Sequence, residues 1–248
     1  MKPDGIFFTF LAVCFILTFS FNITFAQNTA TENTFYQQAL VNARAVYHQS
    51  FDNQSALFNG SEYPEYIFHF ESGQPYFYAE ESGEGYIVYD GIKYDSILMR
   101  YDEIRDLIII NSYTNRIQLW NEKVESFHLF NADFIKLEKD SLSHGLAFNG
   151  FYNILYNGKT GLLKKQIRTI IEKITTTEVL RTIDTNDWYY IKKEGKFYPV
   201  TSKKNLFKIF EDRKTEVKQF VRSSKLNFRK APENMLIKTT IYYDSLNK

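Results

Sequence analysis

The apolar positions of this chain change period twice. Over 34–48, Phe35, Ala39, Leu40, Ala43, Val46 and Tyr47 recur at helical spacing among good helix formers, which predicts an amphipathic helix. From 65 to 200, short runs rich in Tyr, Ile, Val and Phe are separated by turn formers about every 8–12 residues, the pattern of consecutive antiparallel strands. The stretch 85–137 shows it best, with runs at 85–94, 97–101, 106–111, 116–120 and 124–137. Asp90-Gly91 is the sharpest turn signal, because a two-residue hairpin loop needs positive φ and Gly supplies it without steric cost. Further strands are expected at 65–70 and 76–79, around Ser72-Gly73, at 151–156 before Asn157-Gly158, and in a hairpin 188–200 turning at Glu194-Gly195. The run 107–110 is apolar on both faces, so that strand is expected to be covered on both sides.

The stretch 162–177 fits both periods. Leu162, Leu163, Ile167, Ile170, Ile171 and Ile174 share a helical face, yet the β-branched content favours a strand, and a strand is the reading preferred here. From Ser202 the period is helical again. Ser202 is placed to cap a helix over 203–210, Asp212 to cap a second with Val217, Phe220 and Val221 inward, and Pro232 to open a third lined by Met235, Leu236, Thr239, Tyr242, Tyr243 and Leu246. The fold class is α+β with β dominant. A Tyr-rich antiparallel meander forms a curled sheet, barrel or sandwich, with an N-terminal helix and a C-terminal helical segment.

Three segments follow: 1–26, 27–201 and 202–248. The apolar run 6–21 is shorter than the roughly 20 residues of a spanning helix, and Thr24-Phe25-Ala26 follows it with small residues at −3 and −1. A signal peptide cleaved before Gln27 is the expectation, and with it export to the periplasm, the outer-membrane surface or the medium, with no transmembrane anchor after processing. Cys14, the only cysteine, sits inside that run; Leu11-Ala12-Val13-Cys14 departs from a lipoprotein box at the bulky Val13. The processed chain then has no disulfide, thiolate metal site or cysteine nucleophile. Asn53-Gln54-Ser55 and Asn59-Gly60-Ser61 match glycosylation sequons, which matter only in a eukaryotic secretory pathway.

The net charge of +1 hides an asymmetry. Residues 27–160 carry 9 Lys+Arg against 18 Asp+Glu, a net of −9; residues 161–248 carry 20 against 10, a net of +10. Mutual attraction of the halves is the simpler explanation, and separate partners the other.

Chemical motifs are scarce. Gly83-Glu84-Gly85 lacks the third glycine and the following helix of a phosphate loop, and neither a nucleophile elbow nor a zinc helix is present. His48, His69, His128 and His144 are far apart; His69 and His128, both on predicted strands, form the only pair weighed for a metal, and structural roles are preferred. Carboxylates cluster at Glu80, Glu81 and Glu84 and at Asp102, Glu103 and Asp106, where acid–base or glycosidase work competes with ordinary turn solvation. No catalytic residue, metal or cofactor is assigned. The one binding candidate is basic: Lys214, Lys218, Arg222 and Lys225 recur at helical spacing, with Lys203, Lys204, Lys208, Arg229 and Lys230 nearby. Such a face suits an envelope protein, anionic lipid or lipopolysaccharide, and export disfavours nucleic acid.

The string Val-Tyr-Asp-Gly-Ile-Lys-Tyr at 88–94, the hairpin 188–200 and the tail 202–220 resemble a group of secreted proteins of Bacteroidetes-type bacteria. The resemblance spans most of 27–248 and implies a Gram-negative envelope; it brings no catalytic residues. The leading expectation is a non-enzymatic binding or interaction module. The alternatives are a glycan or lipid hydrolase with converging carboxylates, and a lipocalin-like carrier with an apolar barrel interior.

Overall fold

The computed structural model describes residue 39 and residues 56–112, 115–139 and 145–246. The segment 1–26 and, Ala39 apart, the helix expected over 34–48 lie outside these residues.

One antiparallel sheet of eleven strands runs through the described residues, in the order β1-β5-β4-β3-β2-β6-β7-β8-β9-β10-β11. Two meanders build it. The first is β2 (Gly83–Tyr89), β3 (Ile92–Asp102), β4 (Leu107–Asn111) and β5 (Arg116–Gln118), with the short β1 (Ser61–Glu62) on its outer edge. The second runs β6 (Val124–Leu129), β7 (Ala132–Leu137), β8 (Gly150–Asn157), β9 (Gly161–Ile174), β10 (Val179–Lys193) and β11 (Lys196–Pro199). They are joined where β2 pairs with β6, from Gly85↔Leu129 to Tyr89↔Val124.

The sheet is curled but open, neither barrel nor sandwich. Strands β5 and β6 stand four places apart, about 19 Å on a flat sheet at the usual spacing of about 4.8 Å. Residues 119–123 join them, and three of these, Asn121–Lys123, form a 3₁₀ turn that rises only about 2 Å per residue. A link that short requires β5-β4-β3-β2-β6 to bend until its ends approach. Ile87, Tyr101, Phe127, Phe134 and Phe151 fill the concave side, with Phe127 and Phe134 stacked at 4.5 Å.

The hairpin readings hold at Asp90-Gly91 and Glu194-Gly195. Asp90 and Gly91 have φ of 53° and 74° between the paired Tyr89 and Ile92, and Glu194-Gly195 repeats the geometry at 52° and 76°. The ambiguous stretch is strand β9. Of the run 107–110, Ile108, Ile109 and Ile110 are buried as expected, while Leu107 is half-buried. Two readings need correction. The run 124–137 is two strands, turning at Phe130-Asn131 with φ of 48° and 61°. The segments 65–70 and 76–79 are not strands; their β-pairing with the sheet is limited to the isolated bridges Ser72↔Thr182 and Tyr76↔Asp102.

Three helices follow β11: α1 (Lys203–Ile209), α2 (Lys214–Ser223) and α3 (Pro232–Leu246). They pack on the β8–β10 region through Leu162, Tyr189, Ile191, Leu206, Val217 and Leu236. Strand alternation sends Leu163, Tyr152 and Tyr190 to the opposite face, where Leu146 and Phe197 cover them.

Candidate functional site

The helical segment places the basic residues. The Ser202 hydroxyl accepts from Asn205 N at 3.1 Å and caps α1, as its position before Lys203 predicts. Pro232 opens α3, where its missing N–H costs nothing. Asp212 does not cap α2. It lies in a 3₁₀ turn, Glu211–Arg213, and accepts from Lys193 Nζ at 2.8 Å and from Tyr243 Oη at 2.7 Å. Burial works to raise this carboxyl's pKa, but those two hydrogen bonds hold it below the usual value.

Helix α2 buries Val217 and Val221. At about 100° per residue, Lys214, Lys218 and Arg222 stand about 40°, 80° and 120° from the centre of that stripe. The row therefore drifts outward: Lys214 is half-buried, while Lys218 and Arg222 are exposed. Lys225 leaves the row. It follows the end of α2, at a φ of 53°, with its N–H donating to Arg222 O at 3.1 Å. The predicted cluster is thus two residues facing a groove, one facing solvent and one on the terminal turn.

Lys214 and Lys218 line an open hollow of about 840 Å³ together with Lys208 and Phe207. The ammonium of Lys218 stands 5.8 Å from the Phe207 ring centre and that of Lys203 5.6 Å, so two cations share the one ring. A second hollow of about 960 Å³ shares Ser202, Lys203 and Lys204 with the first. Its walls are Trp188 and Tyr189 from β10 and Phe228, Arg229 and Pro232 from the α2–α3 connection. Between them the two hollows are lined by six cations: Lys203, Lys204, Lys208, Lys214, Lys218 and Arg229. Their carboxylates are engaged. Glu211 pairs with Lys214 at 3.2 Å, and Asp187 accepts from Gln166 Nε2 at 2.6 Å and Tyr189 Oη at 3.3 Å. Cations beside aromatic walls suit an anion carried on an apolar body. Sequence reading named the cations but missed Trp188, Phe207 and Phe228, whose signal is no more than an aromatic in each of three separate elements.

The carboxylate cluster disperses. Asp102, wholly buried, accepts from Tyr63 Oη at 2.9 Å, Tyr66 Oη at 3.0 Å and the Ile104 and Arg105 N–H groups at 2.9 and 3.0 Å. Burial and the Asp102 charge push both tyrosine hydroxyls well above their ordinary pKa. Glu103 lies 2.8 Å from Arg168 Nε, and Asp106 2.7 Å from Lys165 Nζ. Residues 165 and 168 project from opposite faces of β9, so these two carboxylates are held apart by the strand. Glu65, unpredicted, joins Arg100 at 3.3 Å and Arg116 closer still; burial opposes, but the Arg116 hydrogen bond and charge hold it below the usual carboxylate range. Glu80, Glu81 and Glu84 stay exposed.

His128 Nδ1 meets Asp133 Oδ1 at 2.8 Å and stacks on Tyr86, while His69 is exposed; His48 and His144 lie outside the described residues. Among the described residues no group of His, Cys, Asp and Glu is placed to hold a metal, and no helix is long and apolar enough to cross a membrane. The hollow between Phe77, Tyr101, Glu103 and Phe134 measures about 10 Å³, roughly the room one water needs. Comparison of the chain with protein-family models, curated proteins and solved structures finds no match.

Proposed function

We propose that the protein is an exported, non-enzymatic binding module of the cell envelope whose helical segment engages anionic lipid. The observation that carries this reading is the pair of hollows that share Ser202, Lys203 and Lys204, lined by six cations, aromatic walls and only two carboxylates, both already engaged. Anionic headgroups would meet the ammonium groups while acyl or sugar bodies rest on Trp188, Phe207 and Phe228. The apolar run 6–21 with Thr24-Phe25-Ala26 after it, and the resemblance at 88–94, 188–200 and 202–220, support a setting outside the cytoplasm.

Co-sedimentation with vesicles tests it. Binding to phosphatidylglycerol vesicles should exceed binding to phosphatidylcholine vesicles and weaken with added salt, because screening shortens the reach of the cations. Replacing Lys203, Lys204 and Lys218 together by Gln should abolish the difference at unchanged melting temperature, since exposed charges add little stability. Equal binding to both vesicles at low salt sinks the proposal. N-terminal sequencing of the exported protein tests cleavage before Gln27; a retained Met1 or an acylated Cys14 rejects it.

A further inference from the structure

Strands β9 and β10 outrun the sheet that holds them. β8 stops pairing with β9 at Asn153↔Lys164, and β11 stops pairing with β10 at Tyr190↔Pro199. From Lys165↔Trp188 to Ile174↔Val179 the two strands continue as a ribbon. One edge is accompanied: Glu71 N donates to Arg181 O at 2.8 Å, and Ile183 N donates to Ser72 O at 3.1 Å. Among the described residues, no strand lies beside the other edge, β9 from Thr169 to Ile174.

The outward bond of Ile183 fixes the phase of the ladder. Its pair with Ile170 is a non-hydrogen-bonded one, so Ile170, Glu172 and Ile174 aim their own N–H and C=O groups at the free edge. Apolar side chains stand beside them: Ile171 is 48% exposed and Ile174 80%. An open edge with apolar side chains is a template for another strand.

We propose that this edge pairs, antiparallel, with the same edge of a second copy, about a two-fold axis at Ile171. A two-fold between antiparallel strands keeps each face on its own side, so it must pass through a residue, and the charges choose which one. Centring on Glu172 or Lys173 sets like charges opposite each other. Centring on Ile170 matches Glu172 with an Arg168 already committed to Glu103 and the Gln74 carbonyl. Centring on Ile171 sets that exposed side chain against its copy and Lys173 opposite Thr169, whose cross-strand neighbour is Asp184. Ile170 and Glu172 of the two copies then exchange both backbone hydrogen bonds.

The arrangement makes Ile171 meet its copy in a non-hydrogen-bonded pair, where side chains come within disulfide range. In the full chain with Cys14→Ser, Ile171→Cys should oxidise to a covalent dimer, and Thr185→Cys, exposed on the same ribbon, should remain monomeric. Light scattering coupled to gel filtration should find a dimer for the unmodified chain. Glu172→Pro removes one outward N–H without touching the β9–β10 ladder, so it should yield a monomer with an unchanged melting curve. A monomer for the unmodified chain, a dimer that survives a folded Glu172→Pro, or equal cross-linking at the two cysteine positions overturns the proposal. Capture of a different protein's strand at this edge, with no self-association, overturns it too.

Discussion

At Glu103 burial and pairing oppose each other. Burial raises its pKa to about 7, outweighing the pull of Arg168 and Lys164. The folded chain therefore keeps a proton that the unfolded chain gives up near the ordinary value of 4.5. Stability from this group is full below that value and is lost as pH rises towards 7, on the order of 3 kcal/mol in all. Thermal melts from pH 4.5 to 8 should show the decline, and Glu103→Gln should flatten it; an equal slope in the variant removes Glu103 as the cause. Glu65 and Asp212, with lowered pKa values, act in the opposite sense and at more acid pH. Gly91 isolates a different term. A Cβ there would meet nothing within 4 Å, so Gly91→Val costs only backbone strain at positive φ, about 1 kcal/mol or more by denaturant melts.

The helical segment separates two aromatic stacks by burial. Phe210 is wholly buried and lies on Tyr243 at 4.0 Å; Phe220 is half-buried and lies on Tyr242 at 4.1 Å. Phe210→Ala should cost roughly 3–5 kcal/mol through lost contact and a cavity, and Phe220→Ala less than half of that. Equal losses in urea titrations would show that stacking outweighs burial. Elements were legible in the sequence where local chemistry decides them: the turns at Asp90-Gly91 and Glu194-Gly195, the Ser202 cap and the Pro232 start. The turn at Phe130-Asn131 was not, because its left-handed φ values are set by the paired strands on either side, and the Phe130 ring finds Tyr78 at 5.1 Å. Tyr66, Phe68 and Phe70 alternate as a strand would, which explains the misreading of 65–70. Their rings pack edge-on against one another and under Arg105 and Arg181. The two hollows were half legible: a period groups Lys214 with Lys218, but no spacing links Trp188 to Phe228, which meet only through tertiary packing.

At the scale of the molecule, among the described ion pairs the charge asymmetry is answered at two points. Asp106–Lys165 and Glu103–Arg168 join the acidic and basic halves, whereas none of the six cations lining the two hollows has a carboxylate partner from the acidic half among the described ion pairs. The ribbon contributes little to either core. Replacing 174–179 by Asn-Gly would close it at the hydrogen-bonded Lys173↔Leu180 pair, and the melting midpoint should stay put, since Ile174 and Val179 belong to no buried cluster. A large fall in that midpoint would make the ribbon part of the folding unit. The joint between β2 and β6 has the opposite character. Gly85 lets the strands meet there, for a Cβ would stand 1.9 Å from the His128 carbonyl oxygen. Apart from the short β1–β5 pairing, every pairing inside each meander joins neighbours in sequence, but the β2–β6 pairing must wait until β3, β4 and β5 have closed the intervening loop. The joint then sets the pace of folding. Phe127→Leu at its centre should slow refolding in stopped-flow mixing more than it speeds unfolding, and a chain halted before the joint forms would present two separate half-sheets to chaperones and proteases.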